Sequence, residues 1–280
     1  MQHVTGQFQT QDGVSLFTQH WLPDGQTKAV LFLIHGLAEH SGRYAHVAAT
    51  MTARGYAVYA MDLRGHGQSP GLRGYIDSYE TFLDDLAGYF TEVQAMNPNK
   101  AIFVLGHSMG GALTLSFTAR HQDQLAGAIT SGALLTAGDS VSPILVALVD
   151  IVARVAGKLP VMTIEAGATS RDPAAVRAYD EDPYVYRGRI RARLGAALAK
   201  LMADAQSGLA GITIPVLAMH GTADTLSDPA SLDIIEREMP PAQRTCIRYE
   251  GLYHEIFNEV EKEQVMSDVA GWLEAHVVPA

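Results

Sequence analysis

A serine between glycines, at the junction of an apolar run and a helical pattern, is suited to nucleophilic catalysis. Residues 101–105 have the apolar character of a buried strand, and Gly-His-Ser-Met-Gly follows at residues 106–110. Leu113 and Phe117 then recur at helical spacing. This is the G-x-S-x-G pattern of a nucleophile elbow, in which glycines allow close approach of strand and helix and a strained serine backbone. The pattern predicts Ser108 as a nucleophile.

A serine hydroxyl becomes reactive only when a base takes its proton, and that base needs a carboxylate to orient it. Asp224 lies in a loop just after one apolar strand, and His254 lies in a loop just after the last one. This order of serine, acid and histidine is the order found in α/β-hydrolases. We therefore expect a triad of Ser108, Asp224 and His254. Asp228 is the alternative acid, because aspartates before helices are also common N-caps.

The negative charge that develops on a carbonyl oxygen needs two converging N–H donors. Met109, the residue after the predicted nucleophile, supplies one of them. The loop after the strand ending at Ile34 supplies the other, which we place at Leu37 because His35-Gly36 precedes it. Both donors are backbone groups, so the side chains carry little information, and His35-Gly36 alone would also fit an ordinary tight turn.

Strands alternate with helices along most of the chain, after a hairpin at residues 4–22. This alternation predicts an α/β fold with a mainly parallel central sheet flanked by helices. Together with the elbow and the order of serine, acid and histidine, it indicates the α/β-hydrolase fold. The alternation lapses at about residue 138 into helical stretches without a convincing strand. We expect residues 1–137 and 211–280 to form the core, and residues 138–210 to form a helical cap over the carboxyl ends of the strands, where such sheets bind ligands. The strands are expected at residues 29–34, 56–61, 101–105, 125–131, 214–219 and 244–249, and the last helix at 255–276.

The composition narrows the class of protein. The chain has 280 residues, 48% of them hydrophobic, and a formal net charge of −10, which argues against nucleic acid as a partner. The single cysteine, Cys246, allows no intrachain disulfide and favours a cytoplasmic location; in the last predicted strand it should be buried and inert. Residues 1–10 lack an apolar signal core, and the longest apolar stretch is too short to span a bilayer. The histidines are not clustered at ligand spacing, so we expect no metal. The chemistry of the expected triad requires no organic cofactor.

Two longer motifs carry a resemblance to a known family. His-Gly-Leu-Ala-Glu-His-Ser-Gly-Arg-Tyr at residues 35–44 and Arg-Gly-His-Gly-Gln-Ser at residues 64–69 resemble the corresponding segments of monoacylglycerol lipases. The elbow, Asp182-Pro183, residues 220–224 and residues 251–254 extend the resemblance over nearly the whole chain. One departure is Ala38, where the family often has glycine. The resemblance implies a serine hydrolase that cleaves monoacylglycerols to glycerol and a fatty acid through an acyl-enzyme.

The resemblance also implies which side chains contact the glycerol head of the substrate. These are Glu39, Arg43, His107 and Tyr179. A structural alternative stays open for two of them. Arg43 would brace the loop through Glu39, and His107 would support the site from behind.

Other functions fit the same residues. A carboxylesterase, a lysophospholipase or an acyltransferase would use the same triad with a different leaving group or acceptor. A non-catalytic binding protein of this fold is a different class, and the intact serine, acid and histidine set argues against it. Dehalogenases and epoxide hydrolases need an aspartate at the position of Ser108. The oligomeric state is left open.

The predicted cap contains an unusually apolar helical pattern at residues 143–158. Its polar or small positions form one narrow stripe, and the rest of its surface is apolar. We expect part of this surface to line an acyl tunnel and part to contact a membrane surface transiently, which would make the cytoplasmic protein peripherally membrane-associated. The alternative is a helix buried on two sides within the cap. The stripe consists of Ala147, Asp150, Arg154 and Lys158.

Overall fold

The computed structural model describes residues 1–136 and 152–277. Its centre is an eight-stranded sheet in the order β1-β2-β4-β3-β5-β6-β9-β10, and β7 pairs with β8 in a separate two-stranded sheet. The strands are β1 (Gln2–Gln9), β2 (Ser15–Leu22), β3 (Ala29–Ile34), β4 (Tyr56–Met61), β5 (Ile102–His107), β6 (Gly127–Ser131), β7 (Pro160–Met162), β8 (Ile190–Arg191), β9 (Val216–Gly221) and β10 (Arg244–Tyr249). The longer helices are α1 (Ala45–Ala53), α2 (Glu80–Met96), α3 (Met109–His121), α4 (Pro173–Glu181), α5 (Ala192–Gly208), α6 (Ala230–Glu238) and α7 (Lys262–His276).

The sheet is covered by helices on both faces, which explains the uninterrupted apolar runs of its central strands. All six residues of β3 and all six of β4 are buried. Because side chains alternate along a strand, Val30 and Phe32 join one core cluster and Leu31 and Leu33 join another. The first cluster includes residues of α2, α3 and α6, and the second includes residues of α1 and α7.

The strand pairing is mainly parallel. β3 pairs with β4 and β5, β6 with β5 and β9, and β9 with β10, all in parallel. Within the eight-stranded sheet only the predicted hairpin differs: β1 pairs antiparallel with β2, and β2 pairs antiparallel with β4. The predicted α/β-hydrolase fold is confirmed.

Residues 152–211, which we call the inserted segment, lie between β6 and β9 in the chain and outside the eight-stranded sheet. The segment holds a helical turn at residues 152–156, then β7, α4, β8 and α5. The expectation of no strand in this region is wrong, because β7 and β8 pair antiparallel. Strands of three and two residues are too short to leave a recognisable apolar pattern.

The last helix begins at Lys262, seven residues after the predicted start. A 3-10 turn at Ile256–Asn258 precedes it, and the side chains of Ile256 and Phe257 are buried in the core. Their apolar spacing therefore resembles that of a helix in the sequence alone.

The apolar helical pattern at residues 143–158 lies mostly outside the described residues. At its described end, Ala153 is buried and the Val155 side chain is 83% exposed. Among the described residues, no helix has both the length and the apolar character that crossing a bilayer requires.

Candidate active site

Ser108 occupies a strained turn between β5 and α3. Its φ of 55° and ψ of −119° lie outside the regions that residues with a side chain prefer. A Cβ atom on Gly106 would overlap the carbonyl of Gly110, and a Cβ on Gly110 would overlap the carbonyl of Ile34. The turn is fixed by the Ser108 N–H, which donates to the carbonyl of Ser131 at 2.9 Å. The two glycines thus permit the close packing that exposes a serine at the carboxyl end of the sheet.

Asp224 and His254 form a buried acid–histidine pair. Nδ1 of His254 donates to Oδ2 of Asp224 at 2.7 Å, while Oδ1 of Asp224 accepts from the N–H groups of Leu226 and Ser227 at 2.8 and 3.0 Å. Burial alone would raise the pKa of Asp224, but hydrogen bonds from His220 and His254 outweigh it and hold that pKa well below its ordinary value. Since the ionised carboxylate binds the Nδ1 proton, Nε2 is the nitrogen of His254 that can act as a base.

Ser108 and His254 line one cavity of about 250 Å³. Asp228, the alternative acid, lies instead at the start of α6, where Oδ1 accepts from the N–H of Ala230 at 2.9 Å. The cavity wall combines polar and apolar side chains. Its larger members are Leu37, Glu39, His107, Leu134, Met162, Ile164, Tyr179, Leu198, Leu226 and Glu255.

The loop after β3 provides a candidate N–H donor at Leu37. In the part of the chain that the structure describes, neither the N–H of Leu37 nor that of Met109 donates to a protein acceptor. Leu37 lines the cavity, and Met109 is the first residue of α3. Ala38 has a φ of 65°, and its carbonyl accepts from the N–H of Tyr186 at 2.8 Å. This left-handed conformation favours glycine, the residue that the resembling family often has there.

Arg43 is buried between two carboxylates beside the cavity. Its guanidinium donates to Glu39 at 2.8 Å and to both oxygens of Glu255 at 2.6 and 2.7 Å, and it lies 4.8 Å from the ring centre of Tyr179. Glu39 also accepts from the hydroxyl of Tyr44 at 2.6 Å. Burial would raise the pKa of Glu39, but the charge of Arg43, the other neighbouring groups and the hydrogen bond from Tyr44 together outweigh it and lower that pKa to about 2. Glu39 and Tyr179 line the cavity, whereas Arg43 lies behind them.

His107 is held by the neighbouring strand. Nδ1 of His107 lies 3.0 Å from the carbonyl oxygen of Ser131, and its ring centre lies 4.6 Å from that of His254. Burial and the nearby His254 lower the pKa of His107 to about 4, so its ring is neutral at pH 7. Of the four predicted substrate contacts, Glu39, His107 and Tyr179 therefore reach the cavity wall.

The two motifs of the resemblance meet behind the site, where the ring centres of His35 and His66 lie 5.3 Å apart. The two residues just before the second motif also bind the first motif. Nε2 of His35 accepts from the N–H of Leu63 at 2.9 Å, and Oδ1 of Asp62 accepts from the N–H of Ser41 at 2.9 Å. A Cβ atom on Gly67 would overlap the Asp62 carboxylate. The loop at residues 62–69 therefore positions the loop that carries Leu37.

Two residues of this site, Glu255 and His220, were not predicted from the sequence. Glu255 lines the cavity and binds Arg43, and its position next to His254 was the available signal. Nε2 of His220 lies 3.0 Å from Oδ2 of Asp224, which follows it by four residues in the chain. Among residues 1–136 and 152–277, no group of three or more histidine, cysteine or acidic side chains could hold a metal ion.

Comparison with known proteins identifies the family. Residues 25–261 match the family described as Serine aminopeptidase, S33 (Hydrolase_4). The chain is 37% identical to the monoacylglycerol lipase of Mycolicibacterium smegmatis over 95% of each chain, and 30% identical to the monoglyceride lipase of Mus musculus over 96% of this chain and 90% of that one. The crystal structure of Paleococcus ferrophilus monoacylglycerol lipase superposes with a TM-score of 0.82 and 29% identity, covering 99% of this chain and 100% of that one. The chain therefore belongs to the monoacylglycerol lipase family of serine hydrolases with the α/β-hydrolase fold.

Proposed function

We propose that this enzyme hydrolyses monoacylglycerols to glycerol and a free fatty acid through an acyl-enzyme on Ser108. The observation that carries the proposal is the single cavity that Ser108 and His254 share with both polar and apolar side chains. The names of the relatives, which are monoacylglycerol and monoglyceride lipases, support the same substrate class.

In the proposed mechanism, Oγ of Ser108 attacks the ester carbonyl carbon while Nε2 of His254 takes the hydroxyl proton. Ionised Asp224 stabilises the resulting imidazolium through Nδ1. The carbonyl oxygen gains the negative charge and accepts from the N–H groups of Leu37 and Met109. The tetrahedral intermediate then expels the glycerol oxygen, which takes the proton from His254. A water molecule activated by His254 finally releases the fatty acid and regenerates Ser108.

The charge of the cavity wall favours an uncharged head group. Glu39 and Glu255 line the cavity, and no lysine or arginine does so in the part of the chain described by the structure. Arg43 neutralises only one of the two carboxylates. A phosphate head would face this net negative charge in a partly desolvated site, whereas glycerol hydroxyls could donate to the carboxylates. The charge of the wall therefore favours monoacylglycerols over lysophospholipids, although the same triad could cleave both.

We also propose that residues 138–210 act as a cap that admits the acyl chain and contacts a membrane surface transiently. The described part of this region contributes Met162, Ile164 and Leu198 to the cavity wall. Its outer surface includes Val155, Leu159 and Met162, whose exposed fractions are 83%, 50% and 50%. Exposed apolar side chains beside the cavity favour contact with the surface from which a lipid substrate enters.

The test measures turnover of monoacylglycerols of several chain lengths against diacylglycerols, lysophospholipids and an aminoacyl anilide. We expect the monoacylglycerols to be the best substrates. Ser108→Ala, Asp224→Asn and His254→Ala should each lower kcat by roughly 10³-fold or more, and the losses should not add, because the three residues act together. Asp228→Asn is the matched control and should leave turnover near the wild-type value. Retained activity in Ser108→Ala would refute the mechanism, and faster turnover of lysophospholipids would refute the substrate.

A further inference from the structure

A second histidine binds the same carboxylate oxygen as His254. Nε2 of His220 lies 3.0 Å from Oδ2 of Asp224, and its side chain is 2% exposed. Nε2 also lies 3.0 Å from the carbonyl oxygen of Ser227. A carbonyl oxygen can only accept, and so can an ionised carboxylate, so Nε2 of His220 must carry a proton.

The carboxylate of Asp224 thus receives four N–H donors. Oδ1 binds the backbone N–H groups of Leu226 and Ser227, while Oδ2 binds the two histidines. The backbone donors suffice to hold Oδ1 in place. The N–H of His220 has a different effect. It binds Oδ2, the same oxygen atom that binds His254, so the two histidines share the negative charge of that atom.

We propose that His220 is a positioning residue that orients Oδ2 of Asp224 toward His254 and limits the negative charge that this oxygen presents to it. The proposal rests on the proposed function, since it assumes that His254 is the base. Removal of the His220 donor would leave more charge on Oδ2 for the His254 imidazolium. The His254 imidazolium would then be stabilised relative to the neutral ring.

Other titratable or charged groups lie near this pair and are the same in every variant. On the cavity side these are neutral His107 and the carboxyl groups of Glu39 and Glu255. On the neighbouring strand β10, Arg248 is in register with His220, but its guanidinium binds Asp233 and Glu236 of α6.

The test compares two amides at one buried position. In His220→Gln the amide nitrogen can occupy the position of Nε2 and still donate to Asp224, whereas in His220→Asn the shorter side chain ends at the position of Nδ1. For each variant, kcat/KM on a soluble short-chain ester is measured from pH 5 to 9. The acid limb of this profile reports the pKa of the base in the free enzyme.

We expect the acid limb of His220→Asn to move to higher pH by roughly half to one unit, with a corresponding three- to tenfold loss of kcat/KM below the limb. His220→Gln should restore the limb to within about 0.3 unit of the wild type. Equal profiles for the two variants would overturn the proposal, as would a loss of activity in His220→Asn at an unmoved limb. If the asparagine variant does not fold, His220→Leu replaces it, with the same expected shift of the acid limb. A displaced acid limb in His220→Gln would by itself refute the proposed role of His220.

Failure of the proposed function gives a different result. The wild-type enzyme would then lack triad-dependent turnover, and a fluorophosphonate probe would not label Ser108. Labelling of Ser108 with identical pH profiles for all His220 variants would reject only the role of His220.

Discussion

Replacing Arg43 by methionine tests whether the buried charge cluster beside the cavity is held together by this one cation. The side chains of Arg43, Glu39 and Glu255 are 8%, 4% and 6% exposed, so solvent screens them little. Methionine keeps most of the apolar stem and removes the charge. Because two carboxylates would lose their common partner, we expect the free energy of unfolding to fall by about 3–5 kcal/mol at pH 7.

The depressed pKa of Glu39 gives the pH dependence of the same cluster. Its shift from an ordinary value of 4.5 to about 2 is the net result of burial, which raises the pKa, and of Arg43 and the other neighbouring groups, which lower it. This depressed pKa means that the stabilisation is fully present above pH 4.5 and is lost as the pH falls toward 2. In Arg43→Met the pKa of Glu39 should rise instead. Protonation of Glu39 then removes the unpaired buried charge, and the destabilisation of the variant becomes smaller as the pH falls. The difference in stability between wild type and variant should therefore be largest at pH 7 and smaller at pH 4.5.

Urea unfolding followed by the fluorescence of the buried Trp21 and Trp272 measures both free energies at the two pH values. Arg248→Met is the matched control, because Arg248 also binds two carboxylates but has a 41% exposed side chain. Its loss should cost about 0–1 kcal/mol. A cost for Arg43→Met below 1 kcal/mol, or one that is equal at pH 7 and pH 4.5, would refute the account of Arg43 as the cation that keeps Glu39 ionised.

Three further predictions concern separate parts of the chain. Ala38→Gly should stabilise the protein by about 0.5–1 kcal/mol in urea unfolding, because the left-handed φ no longer opposes a Cβ atom; a destabilised variant would contradict this. Burial raises the pKa of half-buried Cys246 to about 11, so a maleimide at pH 7 should label it slowly and leave turnover intact; rapid labelling with loss of activity would show the opposite. Val155→Glu and Leu159→Glu should lower turnover of vesicle-borne long-chain monoacylglycerol several-fold more than that of a soluble ester. Met96→Glu, an exposed site on α2, should affect neither substrate, and equal losses on both substrates in the first two variants would exclude a lipid-facing role.

Much of the sheet core could be predicted from the residue types of short segments of the sequence. The runs at residues 29–34 and 56–61 coincide with β3 and β4, because strands covered on both faces are uniformly apolar and turn residues bound them. The run at residues 244–249 coincides with β10, an edge strand that is only partly buried. The positions of Ser108, Asp224 and His254 were predictable because each lies shortly after a strand, in the chain order found in α/β-hydrolases.

Long-range partners could not be predicted in this way. Arg43 binds Glu255 across 212 positions of the chain, and no local pattern relates them. The start of the last helix could not be predicted either, because the buried side chains of Ile256 and Phe257 have the spacing of a helical face. The motifs at residues 35–44 and 64–69 carried the resemblance to the family, yet His35, Ser41 and Ser69 bind Asp62 or Leu63 and do not line the cavity. Their specificity therefore reflects the support of a loop as much as contact with substrate.

The contacts of the inserted segment have a consequence for protein engineering. Tyr186 donates to the carbonyl of Ala38, Asp182 binds His40 at 2.9 Å, and the carbonyl of Thr169 accepts from the N–H of Glu255 at 2.7 Å. These contacts join the segment to the two loops that carry Leu37 and His254. A segment transplanted from a relative to alter chain-length selectivity would therefore need both recipient loops from the same donor. A chimera that exchanges the segment alone would retain Ser108 but lose the contacts that hold its partners in register.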